Sequence, residues 1–494
     1  MKKDNFLRAF LVFGILILCA FLSARFHFRS DLTEKKIYTL SPYSKVILAS
    51  LQTEVNITWY RSKALLQYTP AVRYINDFLE EYHEASDGLI VFNIIDPFDA
   101  NNTAAISSLG IIPRQIETQE KDGKNIKDIY SGLIIEYEGQ NRVVPFFIDT
   151  KSLEYDLTRL ILELRTAAAG EGSANAIQLI FGRSVLKDEY QYVEPWIQYA
   201  GFTVEQLALP VRQLDPGKKL LVIGSSNIDD ATIASIDLFL SSGGNAVFFV
   251  SGNTVNTAGN WAAVPKKNDQ LISLLANYGI SVQTPLLLDV LNYRITMPAV
   301  DNSKYEYINY PFWITAPTAG MKSGISLLSG VQSLQFYWPS RLVLKDDGGA
   351  VQGLVSASAS AVAMEAPYDT NPFGKQLSLF SSEQPVQGPV LIASNSRRGR
   401  LLVVADEYMM SSLIEYTNSD SNLDFLVNCI EWISSKDELL DLKNKVNALG
   451  ADSDTDIQNI MSAVQKSRIV NLGIIPLIIV VSAVMISIRR KKRR

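Results

Sequence analysis

The sequence predicts an α/β protein with two globular domains between apolar chain ends. Short apolar strands alternate with amphipathic helices along most of the 494 residues, a pattern typical of strands that pair in parallel. With 47% hydrophobic and 20% charged residues, the chain is long enough to bury one core in each of two domains. We therefore expect a smaller mixed domain, then a doubly wound parallel-sheet domain, flanked by N- and C-terminal transmembrane helices.

The N-terminal apolar run predicts a membrane anchor. No charged residue lies between Ala9 and Ala24. The residues around Arg25 that follow this run form a poor small-x-small cleavage site, so an uncleaved anchor is favoured and a cleaved signal peptide is the alternative.

The C-terminal apolar run predicts a second span. Ile469–Ile488 contains no charge, and about 20 such residues cross a bilayer as a helix. The tail RRKKRR at Arg489–Arg494 follows it, so the positive-inside rule places that tail in the cytoplasm. Two spans then require a cytoplasmic N-terminus. The spans are expected in a bacterial inner membrane, with the domains between them outside the cytoplasm.

The first domain shows a strand–helix–strand pattern and then a hairpin. Glu54–Tyr60 and Leu89–Pro97 are rich in strand formers, and Thr69–Ser86 between them has helical apolar spacing. Ser131–Gly139 and Arg142–Ile148 are two strand patterns separated by a short turn. Together they indicate a βαβ unit followed by a β-hairpin, as in thioredoxin.

The cysteine and histidine content excludes several kinds of active site. Cys19 lies in the first apolar run and Cys429 stands alone, so neither a disulfide within a domain nor a CxxC redox pair can form. Only His27 and His83 are available as imidazoles, which makes His-based metal sites and Ser-His catalysis hard to build. We expect no cofactor.

The second domain follows the helix Ser152–Ala168 and the glycine-containing linker Gly170–Asn175. Apolar strands at Ile177–Gly182 and Leu220–Gly224, with the helix Ile228–Gly244 after the second, indicate parallel pairing. Ligands of such sheets bind at the carboxyl ends of the strands.

The turn after the strand Leu220–Gly224 is the candidate recognition site. It contains Ser225, Ser226 and Asn227, and Asp406 ends a later apolar strand. The turn lacks the GxxxxGK[ST] pattern of a phosphate-binding loop, and no histidine is at hand to activate a serine. Recognition rather than catalysis is therefore expected.

Two other uses of this region stay open. A cation could be held at the strand ends by carboxylates, although charged strand ends are usually solvated. These carboxylates are Asp229, Asp230, Asp406 and Glu407. The aromatic stretches Tyr305–Ile314 and Phe336–Pro339 could form a groove for a glycan or peptide, but edge strands packed on the sheet are the commoner arrangement.

Several segments together resemble the GldG family, auxiliary membrane components of ABC transport systems first linked to gliding motility. They include RSDLTEKKIYTLSPYSKVILASLQTEVNITWY at Arg29–Tyr60, Asp77–Pro97, Leu220–Val250 and the closing span with its basic tail. The resemblance implies a thioredoxin-like domain without redox cysteines. It also implies a domain similar to class I glutamine amidotransferases without their Cys-His pair, beside a separately encoded ABC permease and cytoplasmic ATPase.

The expected organisation has six parts. A cytoplasmic end with a transmembrane helix covers residues 1–28, and the thioredoxin-like domain covers residues 29–168. The amidotransferase-like domain covers residues 169–435, and a helical stalk covers residues 436–468. A transmembrane helix at residues 469–488 and a basic tail at residues 489–494 follow. We expect a non-enzymatic transport auxiliary protein, and the alternative is an envelope hydrolase or glycan-binding protein. The net charge of -5 gives no attraction to nucleic acid, and a homo-oligomer stays open.

Overall fold

The computed structural model describes most of the chain between the two predicted spans. The described residues are 39–69, 71–99, 103–120, 123–150, 152–170, 175–298, 304–345, 348–374 and 376–445. Within them, no helix has both the length and the apolar character needed for a bilayer crossing. Both predicted spans and the basic tail lie outside the described residues.

The elements follow in chain order. The helices are α1 (Pro42–Ala49), α2 (Leu65–Tyr68), α3 (Ala71–Ala85), α4 (Thr103–Ser108), α5 (Leu153–Ala168), α6 (Val193–Tyr199), α7 (Asp230–Ser241), α8 (Gln270–Asn277), α9 (Leu379–Ser382), α10 (Ile414–Thr417), α11 (Asp420–Ile433) and α12 (Asp437–Asp441). Short 3-10 turns cover Thr318–Gly320, Ser326–Leu328, Gln376–Ser378 and Leu442–Lys445. The strands are β1 (Val55–Arg61), β2 (Ile90–Ile95), β3 (Arg114–Glu120), β4 (Gly123–Ile129), β5 (Ser131–Tyr137), β6 (Gln140–Val144), β7 (Ala176–Phe181), β8 (Thr203–Gln206), β9 (Lys219–Ile223), β10 (Ala246–Phe249), β11 (Asn253–Val255), β12 (Ala263–Pro265), β13 (Ile280–Leu288), β14 (Asn292–Pro298), β15 (Tyr305–Pro317), β16 (Ser333–Tyr337), β17 (Ser340–Leu344), β18 (Val351–Ser356), β19 (Val362–Met364), β20 (Val390–Asn395) and β21 (Leu401–Val404).

The first sheet has the strand order β2-β1-β5-β6. β1 and β2 are parallel and joined through α3, whereas β5 runs antiparallel to β1 and forms a hairpin with β6. The apolar side chains of α3 recur every three or four residues, so one face of the helix packs into the core of this sheet. The βαβ unit and the hairpin predicted from the sequence are therefore both present, with an additional β3–β4 hairpin between them.

The second sheet is mixed rather than parallel throughout. β8, β7, β9, β10 and β21 are parallel neighbours in this order, as the apolar runs predict. β20 then pairs antiparallel to β21, and β17, β13 and β19 continue in antiparallel fashion, while β18 also pairs with β20. The prediction of a doubly wound parallel sheet is thus correct for one half of the sheet and wrong for the other.

The aromatic stretches belong mainly to the core. β14, β15 and β16 form a separate antiparallel sheet. Tyr310, Phe312 and Trp338 are fully buried there, whereas Tyr305 and Tyr307 are 70% and 74% exposed. The structure therefore assigns most of these rings to packing, which was the commoner of the two arrangements, and leaves little of the alternative aromatic groove.

The described chain forms two bodies, the first built on the β2-β1-β5-β6 sheet and the second on the mixed sheet. Helix α5 joins them. Its apolar residues fill the core of the first sheet, while Tyr155 on another face packs with Leu439 and Leu442 of the second body. Tyr43, from the first described helix, packs on the same small cluster. The two ends of the described chain consequently lie side by side, and the predicted stalk begins with residues that are buried against the protein.

Candidate functional site: the carboxyl ends of the parallel strands

The carboxyl ends of β7, β9, β10 and β21 meet at one edge of the second sheet. Arg183, Ser225, Ser251 and Glu407 follow these strands within a few residues, so the parallel topology alone brings them together. Lys266 joins them from the loop between β12 and α8. We call Arg183, Ser225, Lys266, Asp269 and Glu407 the strand-end site.

Two glycines allow the strand ends to approach closely. Gly224 has a φ of +79°, a backbone conformation that favours glycine. A Cβ atom on Gly224 would lie 2.6 Å from Cγ of Arg183, and one on Gly182 would lie 2.4 Å from the carbonyl oxygen of Gly224. The small-residue turn noted in the sequence is therefore needed to admit the Arg183 side chain.

Glu407 is the buried centre of the site, with no exposed surface. Lys266 Nζ donates a hydrogen bond to its Oε2 at 2.6 Å, and Arg183 Nε lies 3.5 Å from its Oε1. The Glu407 backbone N–H donates to Ser251 Oγ at 2.9 Å, and the Tyr190 hydroxyl donates to the Glu407 carbonyl at 2.8 Å. Two cations from distant parts of the chain thus offset one buried carboxylate.

Ser225 lies between a cation and an anion. Its Oγ donates to Asp269 Oδ2 at 2.5 Å and accepts from Lys266 Nζ at 2.9 Å, and the residue is 4% exposed. The other oxygen of Asp269 accepts from the backbone N–H of Ile272 and caps α8. The Lys266 ammonium therefore links Ser225 with Glu407.

Arg183 keeps its charge in this setting. Burial by itself lowers its pKa, but the neighbouring Tyr190, Tyr408, Glu407 and Glu189 together raise that pKa above its usual value. Its Nη1 donates to Glu189 Oε1 at 2.7 Å and to the Tyr190 hydroxyl at 2.8 Å. Burial raises the pKa of Tyr190 well above its usual value, so that hydroxyl stays neutral.

The arrangement opposes serine nucleophile chemistry. A lysine that activates a serine must be neutral in order to accept the proton. Lys266 Nζ instead donates to Glu407 Oε2 at 2.6 Å and to Ser225 Oγ at 2.9 Å. The serine proton is directed at Asp269. The five side chains form a connected polar network in which Glu407 faces Lys266 and Arg183, and Asp269 accepts from Ser225.

The structure separates the predicted recognition residues. Ser225 is part of the strand-end site, whereas Ser226 is exposed. Asn227 is also exposed, and its Nδ2 donates to Ser184 Oγ at 3.0 Å. Recognition by this turn stays a prediction.

Asp406 has a different environment from its neighbour Glu407. Its carboxylate accepts from the backbone N–H of Tyr337 at 2.6 Å and of Tyr408 at 2.7 Å. Burial raises the pKa of Asp406 well above its usual value, while these backbone bonds act in the opposite direction. Asp406 therefore ties β16 to the end of β21. Among the described residues, no group of three or more acidic, histidine or cysteine side chains is placed to hold a cation.

Asp229 fills the role of a helix cap. Its carboxylate accepts from the backbone N–H groups of Ala231 and Thr232 at the start of α7. This is the capping that acids at the start of a helical pattern predict.

Sequence reasoning missed three members of the site. Arg183 could have been found, because it comes directly after a predicted apolar strand, as Ser225 and Glu407 do. Lys266 and Asp269 carry no such signal, since only the tertiary fold brings their loop to the strand ends.

Comparison with known proteins identifies the larger body. Residues 168–429 match the family described as "ABC-type uncharacterized transport system", whose members are auxiliary components, and residues 34–136 match a domain of unknown function, DUF7088. An uncharacterized protein of Borreliella burgdorferi is 24% identical over 488 residues, which cover 94% of each chain. Since the first match spans more than half of the chain, the protein belongs to the family of ABC-type uncharacterized transport system auxiliary components.

Proposed function

We propose that the protein is a non-enzymatic, GldG-like accessory subunit of an ABC transport system. In this role its two bodies lie outside the cytoplasm and contact the permease or the transported substrate. The observation that carries the proposal is the family match over residues 168–429. The transport ATPase and the permease are separate chains.

The strand-end site supports a non-enzymatic role. At the sheet edge where related folds perform chemistry, Lys266 is engaged with Glu407, and Ser225 is almost fully buried. A connected, largely buried network of this kind is suited to holding the strand ends rigid.

The proposed membrane anchoring is supported by the position of the chain ends. Tyr43 packs against the small cluster of Tyr155, Leu439 and Leu442, so the first and last described helices lie near each other. This proximity suits two anchors that enter one bilayer. The uncharged runs at residues 9–24 and 469–488 are the anchors in this proposal.

The sheet topology supports the finer assignment of the domains. The order β2-β1-β5-β6, with only β1 and β2 parallel, fits a thioredoxin-like domain that lacks redox cysteines. The parallel half of the second sheet fits an amidotransferase-like domain without a Cys-His pair. Both features are those of the GldG resemblance.

Copurification tests the accessory role. The full chain with a C-terminal affinity tag, expressed in its native cell and extracted in mild detergent, should recover an ABC permease and an ATPase at near-stoichiometric levels. A tagged bitopic membrane protein of unrelated function serves as the control. Recovery of neither subunit after gentle cross-linking would reject the role.

A reporter insertion tests the topology separately. Gly348 and Gly349 lie in an exposed turn before β18, where an added Cβ atom on either residue meets no neighbour. Alkaline phosphatase inserted between them should be active, because it folds only outside the cytoplasm. An inactive enzyme in a stably expressed fusion would contradict extracytoplasmic domains.

A hydrolase is the second candidate, favoured by one distance only. Lys266 Nζ lies 2.9 Å from Ser225 Oγ, a spacing that a serine–lysine dyad also shows. A fluorophosphonate probe distinguishes the two functions. We expect the probe not to label Ser225, so Ser225→Ala should leave any labelling of the chain unchanged. Labelling of the unsubstituted chain that is lost in Ser225→Ala would establish the hydrolase.

A further inference from the structure

A cavity of about 640 Å³ lies between the two bodies, and none of its lining residues belongs to the strand-end site. Its wall on one side comes from residues 144–149 and α5, and on the other side from α6, α11, residues 329–332 and Lys443. Small-molecule sites commonly have volumes of roughly 300 to 1,000 Å³ and lie at such boundaries. The size and place of the cavity are therefore those of a ligand site.

Charged side chains line this interdomain cavity unevenly. Asp149, Asp156 and Asp424 face Arg159 and Lys443, so three carboxylates stand against two cations. Burial raises the pKa of Asp156 and of Asp424, and the charge of Asp149 adds to both shifts. Repulsion between these neighbouring carboxylates makes the lining favourable for a positively charged group.

Both cations of the lining are already engaged. Lys443 Nζ donates to Asn428 Oδ1 at 2.7 Å and lies 4.1 Å from the ring centroid of Tyr155. Asp424, by contrast, is solvent-accessible, and in the described part of the chain Lys443 is the cation that attracts its carboxylate, without a direct hydrogen bond or close ion pair. A positively charged group of a ligand would supply a closer partner.

Arg159 indicates an acceptor on the same ligand. Its side chain is 3% exposed, and its Nη1 donates to the carbonyl oxygen of Tyr199 at 2.7 Å. Its Nε is buried without a hydrogen-bond partner in the described part of the chain. An unpaired buried donor of this kind costs roughly 1 to 3 kcal/mol, so an acceptor from a ligand would be stabilising.

We propose that the interdomain cavity binds a small zwitterion, an amino acid or short peptide with a free ammonium and a free carboxylate. Its ammonium pairs with Asp424, and its carboxylate accepts from Arg159 Nε. Phe146, Trp196 and Tyr199 provide aromatic surface for an apolar side chain of the ligand.

The position of the site gives binding a consequence. A ligand there contacts α5 of the first body and α11 of the second, together with Lys443 near the end of the described chain. Occupancy is thereby coupled to the relative placement of the two bodies.

Calorimetric titration of the detergent-purified full chain tests this inference. The probes are the twenty L-amino acids and a set of dipeptides, each dipeptide also in N-acetylated and C-amidated form. We expect saturable binding of at least one free probe, and about tenfold weaker binding of its blocked forms, because each lacks one of the two charges.

Two substitutions locate the site. Asp424→Asn and Asp424→Lys should weaken binding about tenfold or more, since the first removes the ammonium partner and the second places a competing ammonium in the cavity. Asp128→Asn, at an exposed acid of the β3–β4 hairpin, is the matched control. Unfolding curves for all variants show whether Asp424 is needed for folding.

Three results would overturn the inference. They are no saturable binding by any probe up to about 10 mM, equal binding of free and blocked forms, or binding that a folded Asp424→Lys variant retains in full. The inference goes beyond the proposed accessory role and is measured on the isolated chain. Its failure would leave copurification with a permease unaffected.

Discussion

Glu407 is a carboxylate with no exposed surface, and two separate loops contribute the cations beside it. Removing a charge of this kind from water costs several kcal/mol, which only close opposite charges and hydrogen bonds offset. Lys266 at 2.6 Å is the nearer of the two cations. The stability of the strand ends therefore depends on this one ion pair more than on any exposed pair.

Loss of the Lys266 ammonium should be strongly destabilising. We expect Lys266→Met to lower the free energy of unfolding by about 3 kcal/mol, because it leaves Glu407 buried and only loosely paired with Arg183. Adding Glu407→Gln should restore much of that loss, since it removes the uncompensated charge. Urea unfolding followed by tryptophan fluorescence measures both effects.

Lys267→Met provides the matched control at the next position. Lys267 is exposed, so its substitution should change the free energy of unfolding by less than about 0.5 kcal/mol. Equal effects of the two lysine substitutions would show that the ion pair contributes nothing specific.

Helix α11 is a buried element rather than a surface helix. Nearly all residues from Asn422 to Ile433 are buried, and Cys429 lies at 0% exposure within the core of the second body. Its apolar residues recur at helical spacing, and Cys429 lies among them on the buried side. The sequence did not show that most of the opposite face of α11 would also be buried. Helices α6 and α12 and the first body cover that face.

Cys429 should be chemically silent in the folded protein. Burial raises the pKa of its thiol well above the usual value, so a rise from about pH 7 to about pH 9 should not produce a reactive thiolate. In a Cys19→Ser background we expect maleimide labelling of Cys429 only after denaturation. Labelling of Tyr416→Cys, at a position 72% exposed, should be at least about 100-fold faster. Comparable rates for the two thiols would contradict a packed α11.

The elements also show where periodicity succeeds and fails. β9 and β10 are continuous apolar runs, and such runs are distinctive of parallel strands buried on both faces. β13 and β20 pair with partners far along the chain, and their register depends on those partners. Local patterns carry no information about that pairing, so the antiparallel half of the sheet was not predicted.

At the scale of the whole molecule, α5 ties the two bodies together through buried polar contacts. The Tyr155 hydroxyl donates to Glu431 Oε1 at 2.9 Å, and Arg159 Nη1 donates to the Tyr199 carbonyl at 2.7 Å. Glu431 is fully buried, and its second carboxylate oxygen has no hydrogen-bond partner among the described residues. A polar boundary of this kind is stable only while both bodies stay in place.

The two bodies should therefore unfold together. We expect one cooperative transition for the full chain in detergent, seen at the same urea concentration by tryptophan fluorescence and by far-UV circular dichroism. Tyr155→Phe should lower the free energy of unfolding by about 1 to 3 kcal/mol, because it deprives the buried Glu431 carboxylate of a donor. Tyr416→Phe, at an exposed ring, is the control. Two separate transitions in the unsubstituted chain would show that the bodies are independent.

The sequence by itself determined the α/β class, the βαβ unit with its hairpin, the parallel strands of the second sheet and the turn that contains Ser225. These features depend on apolar periodicity and on turn residues, which act over a few neighbouring positions. The tertiary structure alone decided that Lys266 and Asp269 reach Ser225, that Glu407 rather than Asp406 enters the same network, and that a charged cavity opens beside α5. Those outcomes depend on contacts between residues far apart in the chain, and such contacts are set by the packing of whole elements.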